Sequence, residues 1–257
     1  MSFRTTFNTI IEPFGYTIQA KTKEIYDQDG LRSLHNHDFM TDPSFLKAYQ
    51  RGTVAAGNDY LWHWRVHIGL WAAYSASKLA GDFVECGVNR GFLSSAIMEY
   101  LDWDTMGKTF YLLDTFCGLD NRYLSELDIQ TGALEKNKRA LENGFYADQA
   151  ESVRANFSQW KNIKIIQGPI PETLPSVEAT TIAYLHLDMN CSSPEVASLN
   201  FFWEKLSPGA FVLLDDYAYV GHEAQKMALD DAAETKKGSS LFRVGNGILM
   251  DHPTQEV

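Results

Sequence analysis

The amino-acid sequence predicts an α/β fold: a doubly wound, mostly parallel sheet of seven strands with a closing antiparallel hairpin. Three observations carry this. Beyond residue 60, short apolar runs alternate with longer stretches of helical periodicity, the pattern of strand–helix–strand units. The first five runs are apolar on both faces, as strands are when helices cover a parallel sheet on both sides. The last two flank Gly245, Asn246 and Gly247, a turn signal that folds the chain back as a hairpin.

In chain order, residues 1–58 are polar and irregular, with scattered aromatics and the cluster His35, Asn36, His37 and Asp38. They are expected to form an N-terminal cap or lid segment, leaving 59–257 as the main domain. From Tyr60 to Lys78 apolar residues recur at helical spacing, which predicts an amphipathic helix. Strands follow at Phe83–Cys86, Phe110–Leu113, Ile163–Gln167, Ile182–Leu187 and Phe211–Leu214. Helices are expected at Leu93–Leu101, Ala147–Trp160, Pro194–Leu206 and His222–Lys236, and the hairpin at Leu241–Val244 and Ile248–Asp251. The long polar stretch Gly118–Phe145 reads as a lid or binding loop.

Composition narrows the partners. The formal net charge of −11, from 33 acidic and 22 basic residues, disfavours a phosphate backbone, so no nucleic-acid partner is expected. No apolar run approaches the roughly 20 residues that span a bilayer, so no membrane is expected either. The N-terminus has no basic start and is interrupted by Glu12 and Pro13, unlike a signal peptide. Cys86, Cys117 and Cys191 are far apart and odd in number, which fits reduced thiols in a cytoplasmic setting.

In open α/β sheets ligands sit beyond the carboxyl ends of the strands. The first run ends in Glu85, Cys86, Gly87, Val88, Asn89, Arg90 and Gly91, whose two glycines allow a tight turn and close approach of a ligand. The dinucleotide fingerprint needs a glycine where Glu85 stands, and a carboxylate there repels a pyrophosphate. It attracts a cation instead, by about 4 kcal/mol at 4 Å and an effective dielectric near 20. S-adenosylmethionine carries an ammonium and a sulfonium and no phosphate, so Glu85 favours it over NAD. The second strand ends at Asp114, placed as the acid that bonds ribose hydroxyls, and Phe116 is positioned to pack on an adenine face. Taken singly, the glycine pair also reads as a plain tight turn and Asp114 as a cap.

The fourth run ends in His186, Leu187, Asp188, Met189 and Asn190, the fifth in Asp215, Asp216 and Tyr217. Carboxylates so crowded repel one another unless a cation lies among them, and all-oxygen ligands suit Mg²⁺, Ca²⁺ or Mn²⁺. Beside a methyl donor, such a metal lowers the pKa of a bound hydroxyl and one carboxylate takes its proton. The plainer reading has Asp215 and Asp216 capping the next helix. His222, close behind them, is a secondary base. His35 and His37 read as a solvated loop, and Tyr60, Trp62, Trp64 and Trp71 as packing residues, with lining a substrate pocket the alternative for some of them.

With these residues in view, the sequence resembles the macrocin O-methyltransferase family, metal-dependent sugar O-methyltransferases of antibiotic tailoring. The matching segments are GDFVECGVNRGFLS (81–94), YLLDTFCGLD (111–120), VRANF (153–157), IKIIQGPIPETLP (163–175), AYLHLDMN (183–190) and GAFVLLDDY (209–217). The resemblance runs from about 60 to about 237 and implies a Rossmann-like, class I methyltransferase fold. It implies S-adenosylmethionine bound by Glu85, Gly87, Val88, Asn89, Arg90, Gly91, Ser94, Asp114, Thr115, Phe116 and Asp188, with Gly168, Pro169 and Ile170 bordering the adenine. It also implies Mg²⁺, or another divalent hard cation, held by Asp188, Asp215 and Asp216, with Asp188 as general base. The implied partner is a small hydroxylated acceptor, a sugar or glycoside, and the implied assembly a homodimer or higher homo-oligomer. The sequence departs from the family in two places: Asn190, Cys191 and Ser192 replace a second Asp and a Leu-Tyr pair, and Pro169 replaces a tryptophan-like residue. Asn190 can offer a carbonyl to a cation but cannot serve as a base.

Two other readings belong to different classes. A nicotinamide-dependent oxidoreductase is opposed by Glu85. A binding protein that lost catalysis is opposed by three crowded carboxylates, which a dead site does not need.

Overall fold

In a computed structural model, residues 3–18, 25–217, 219–236, 240–244 and 247–251 are described. The chain divides into two compact units, Met1–Asp38 and Phe39–Val257. The first holds helix α1 (Phe3–Ile11) and a short antiparallel pair, β1 (Tyr26–Gln28) and β2 (Leu31–Ser33), turning at Asp29 and Gly30. His35 lies here, its Nδ1 2.7 Å from Ser33 Oγ, in an exposed turn.

The unit boundary therefore falls at 38/39, not at the expected 58/59. The reason is α2 (Pro43–Ala56), a helix the sequence reading passed over. Asp42 caps it by accepting from Phe45 N, Pro43 opens it, and Gly57 ends it in the left-handed region. Its buried face, with Phe45, Ala48 and Tyr49, belongs to the same core cluster as Phe92 and Ile97.

From there the alternation runs as read: α3 (His63–Ala76), β3 (Asp82–Cys86), α4 (Phe92–Tyr100) and β4 (Phe110–Asp114). The stretch expected to be a lid loop contains α5 (Glu126–Gln130) and α6 (Ala133–Glu142). Ser125 and Asp128 form a reciprocal capping box at the start of α5, which closes its backbone hydrogen bonds locally. Then come α7 (Ala150–Asn156), β5 (Ile163–Gln167), β6 (Ile182–Leu187), α8 (Ser192–Phe202), β7 (Leu206–Leu214) and α9 (Glu223–Glu234). β7 begins at Leu206, ahead of the expected Phe211, and the added residues are absorbed where its register with β6 shifts between Ile182 and Tyr184.

Five parallel strands lie in the order β5-β4-β3-β6-β7, and the antiparallel pair β8 (Ser240–Val244) and β9 (Gly247–Asp251) extends the β7 edge through β9. The hairpin's Gly245 and Asn246 lie outside the described residues. The sheet is covered on both sides. Phe83, Phe110 and Leu112 pack with α2, α3 and α4, while Val84, Cys86, Leu113 and Leu185 pack with α8 and α9. The strands step outward from β3 through β4 to β5, then the chain returns to β6 on the other side of β3. That reversal is the topological switch point, where the loops after β3 and β6 diverge and open a crevice.

Candidate functional site

The two loops at the switch point nearly touch. Gly87 has φ +92°, and a Cβ there would lie 1.8 Å from the Asp188 carbonyl oxygen. Gly91, φ +82° and the N-cap of α4, would meet the Phe157 ring at 2.5 Å. Both glycines are thus required by the backbone and by the space around it. Non-glycine residues in the left-handed region recur along this rim: Asn89 after β3 (φ 51°), Phe116 after β4 (52°), Asn190 after β6 (57°) and Asp216 after β7 (51°). Such conformations persist where surrounding contacts hold them, and they gather at ligand sites.

Asp114 organises the glycine loop. Its Oδ2 accepts from Val88 N (2.7 Å) and Asn89 N (2.8 Å), and its Oδ1 from Phe116 N (2.6 Å). Thr115 Oγ donates to Gly118 O at 2.6 Å, closing the turn behind it. Asn89 and Arg90 turn their side chains the other way and tie down a neighbouring segment. Asn89 Oδ1 accepts from Ala147 N (2.8 Å), and Arg90 Nη2 donates to Gly144 O (2.8 Å). That segment carries Tyr146, whose phenol is pushed up by burial and by the nearby charges of Asp188 and Asp114.

Several expected cofactor residues lie deeper than a surface contact. Glu85 is 3 % exposed; its Oε1 is 2.9 Å from Nδ1 of His186, its register partner on β6. Glu85 Oε2, His186 Nε2 and Ser94 Oγ are buried without a hydrogen-bond partner among the described residues. Orphaned buried polar atoms of this kind are uncommon and call for a ligand or water. Phe116 is 1 % exposed and belongs to the core, as does Ile170 on the opposite face. Gly168 N donates to Asp114 O (2.9 Å), which sets Gly168–Ile170 beside the glycine loop's anchor, and Pro169 O accepts from Thr173 N (3.1 Å).

The carboxylates converge. Ligand atoms of Asp188, Asp215 and Asp216 lie within 4.8 Å of one another, the arrangement a hard cation takes up. Among the described residues, His35 and His37 do not join such a group. Burial, then the charges of Asp215 and Asp216, push the Asp188 carboxyl well above the usual carboxylate range. Asn190 presents its amide nitrogen to Asp188 Oδ1 at 3.2 Å, as a donor and not as a carbonyl ligand. The three acids fit a divalent cation, since a positive charge among them relieves their repulsion.

Three residues at this rim had no sequence signal. Arg65, in the first turn of α3, forms an ion pair with Asp215 and lies 3.1 Å from Asp216 Oδ1. Glu195, buried in α8, accepts at Oε1 from Met189 N (3.1 Å) and Gln225 Nε2 (2.8 Å), and burial pushes it up to about 8. Because Met189 N can only donate, Gln225 turns its NH₂ to Glu195 and its oxygen to His222 Nδ1 at 2.6 Å. His222 Nε2 lies 3.9 Å from Asp216 Oδ2. Asp128 joins α5 to the start of α8 by accepting from Ser192 Oγ at 2.8 Å. Tyr146, Asn190, His222 and Lys136 line a small cleft beside the carboxylates.

Among the other sequence-read residues, Trp62 packs on Phe92 (5.7 Å), Trp64 on Phe39 (5.3 Å) and Trp71 on Phe211 (5.6 Å), as packing residues should. Cys86, Cys117 and Cys191 are free thiols. Among the described residues no helix is long and apolar enough to cross a membrane.

Comparison with known proteins agrees with this geometry. Residues 70–238 match the family model of macrocin-O-methyltransferase (TylF). The sequence is similar to 8-demethyl-8-(2,3-dimethoxy-alpha-L-rhamnosyl)-tetracenomycin-C 4'-O-methyltransferase of Streptomyces olivaceus, 30 % identical over 152 residues that cover 56 % of this chain and 55 % of the relative. It is also similar to demethyldecarbamoylnovobiocin O-methyltransferase of Streptomyces niveus, 28 % identical over 151 residues covering 55 % and 54 %. The chain thus spans about half the length of the curated relatives it matches. The fold is similar to that of the O-methyltransferase NovP, with a TM-score of 0.65 at 22 % identity over 80 % of this chain and 89 % of that one.

Proposed function

The chain belongs to the macrocin-O-methyltransferase family, and from that premise we propose that it is an S-adenosylmethionine-dependent, Mg²⁺-assisted O-methyltransferase. Its acceptor is a hydroxyl of a sugar or glycosylated small molecule, the class to which the rhamnosyl substrate in one relative's name belongs. The observation that carries this reading is the contact of Gly87 with Asp188, which sets the glycine loop beside the three carboxylates. A cytoplasmic homodimer or higher homo-oligomer completes the proposal.

When bound, S-adenosylmethionine supplies an electrophilic methyl group and the divalent cation lowers the pKa of the acceptor hydroxyl. The protein's part is binding and proton handling. Asp114 holds the Val88 and Asn89 amides in place, so the glycine loop presents a fixed backbone to the cofactor. Ser94 Oγ offers an unspent buried hydroxyl at the same loop. Glu85 adds negative charge beneath a cationic ligand, at one remove, through the strand. Asp188, Asp215 and Asp216 hold the cation, and Asp188 takes the hydroxyl proton on its carboxylate. His222 Nε2 stands as the secondary acceptor. Asn89 and Arg90 keep Tyr146 over the cleft, where its apolar ring and phenol suit a sugar face.

The reading is tested by incubating the protein with methyl-labelled S-adenosylmethionine, Mg²⁺ and a panel of deoxysugar glycosides. Label on a glycoside hydroxyl, lost in chelator and in Asp188→Ala, is expected. Transfer at full rate in chelator removes the cation's role, and label on none of the glycosides removes the acceptor class.

A further inference from the structure

The positive charge next to the carboxylates comes from the chain itself. Arg65 Nη1 reaches both Asp215 Oδ2 and Asp216 Oδ1, while its side chain is only 13 % exposed and its guanidinium lies over the Trp62 ring, 5.0 Å from the centroid. Its charge also acts on Asp188, where it opposes the upward push of burial and of the two neighbouring acids. Two of the three proposed cation ligands are therefore ion-paired with a guanidinium, Asp215 through a hydrogen bond.

A divalent cation needs those same lone pairs. Mg²⁺ takes oxygens at about 2.0–2.1 Å in a near-octahedral shell. A guanidinium is planar, stays charged at any working pH, and cannot step aside by losing a proton. Asp215 Oδ2 and Asp216 Oδ1, which face Arg65, are among the oxygens a cation would draw on, and two positive charges at the cluster repel each other.

We propose that Arg65 is the exchangeable counter-ion of the acidic cluster: it neutralises Asp215 and Asp216 until a divalent cation binds, and it must leave them for that cation to enter. The inference rests on the proposed cation site and adds the residue that sets its affinity. Trp62 gives the released guanidinium an aromatic face at no change of helix position. In this arrangement the carboxylates always face a positive charge, and cation affinity is weakened by the cost of breaking the two Arg65 ion pairs.

The test is Mn²⁺ binding to the full chain, read from the electron paramagnetic resonance of free Mn²⁺, for wild type, Arg65→Gln and Arg65→Lys. Arg65→Gln is expected to bind Mn²⁺ about tenfold or more tightly than wild type. Arg65→Lys keeps the charge but lacks the fork that bridges two carboxylates, so a smaller gain is expected. Equal or weaker Mn²⁺ binding by Arg65→Gln overturns the proposal, as does absence of Mn²⁺ binding in all three proteins. Should Arg65→Gln fail to fold, unchanged affinity in Arg65→Lys overturns it equally. S-adenosylhomocysteine titrated into the same samples separates this from the function: its failure to bind wild type counts against the methyltransferase reading, and the Mn²⁺ comparison still decides the role of Arg65.

Discussion

Replacing Gly87 by alanine perturbs the point where the two halves of the proposed site meet. Its φ of +92° costs an L residue about 1–2 kcal/mol. The added Cβ would lie 1.8 Å from the Asp188 carbonyl oxygen and 2.4 Å from its carbon, and no rotamer relieves a collision with backbone. Ordinary contact begins near 3.4 Å, so the loops after β3 and β6 must part by about 1.5 Å, an overpacking that costs about 1–3 kcal/mol. The sum is about 3 kcal/mol. For a chain of this size that lowers Tm by roughly 6–12 °C. The displacement also moves Asp188, and misplacing a reacting group by about 1 Å can cost about 100-fold in rate. Scanning calorimetry reads the first effect, the rate of methyl transfer from labelled S-adenosylmethionine the second, and titration with S-adenosylhomocysteine the accompanying change in affinity. Gly91→Ala is the control: its obstacle is the end of the Phe157 ring, which can yield, so its fall in Tm is expected to be smaller. A Gly87→Ala protein with wild-type Tm and wild-type ligand affinity would refute the contact and the reasoning built on it.

The remaining predictions concern charge and order around the site. Asp188→Asn removes a half-buried carboxylate that Asp215 and Asp216 oppose, so the metal-free protein is expected to melt no lower than wild type, while the Mg²⁺-induced rise in Tm disappears; a retained rise contradicts the ligand assignment. Glu195 is raised from 4.5 to about 8, so between those values the folded protein binds more protons than the unfolded chain, and stability falls as pH rises through that window by at most about 1.4 kcal/mol per unit. Glu195→Gln keeps both accepted hydrogen bonds and is expected to flatten that part of the Tm–pH curve; an unchanged slope shows Glu195 is not the group responsible. Asn89→Ala leaves the Ala147 amide without its acceptor, so hydrogen exchange there is expected to quicken and the protein to lose about 1–2 kcal/mol, and unchanged exchange would detach Asn89 from the Tyr146 segment.

Much of the fold was legible because its strands are buried on both faces, which writes them into the sequence as compact apolar runs bounded by glycine and acid. The segments Phe83–Cys86, Ile163–Gln167 and Ile182–Leu187 were read to within a residue of β3, β5 and β6 for that reason. Where helices are polar or lie before the first strand, hydrophobic period says little, and α2, α5 and α6 were passed over. Their signals were capping signals: Asp42 with Pro43 and Gly57, and Ser125 with Asp128. The acidic cluster was legible because two adjacent strand ends carry it, Leu187 and Leu214 being register partners. What could not be read were pairings across long sequence separation. Arg65 meets Asp215 from a helix that precedes the whole sheet, and His222 is oriented through Gln225 by a glutamate in another helix. The pairing of Glu85 with His186 was equally out of reach, since strand register joins residues 101 apart in sequence.

The central claim is that the glycine loop from Gly87 to Gly91, packed against the Asp188 backbone, receives S-adenosylmethionine. Its most direct test is a calorimetric titration of the purified chain with S-adenosylhomocysteine, the stable product of the donor. Saturable one-to-one binding at micromolar ligand, weakened in Gly87→Ala, is the expected result. Absence of heat at millimolar ligand would contradict the claim.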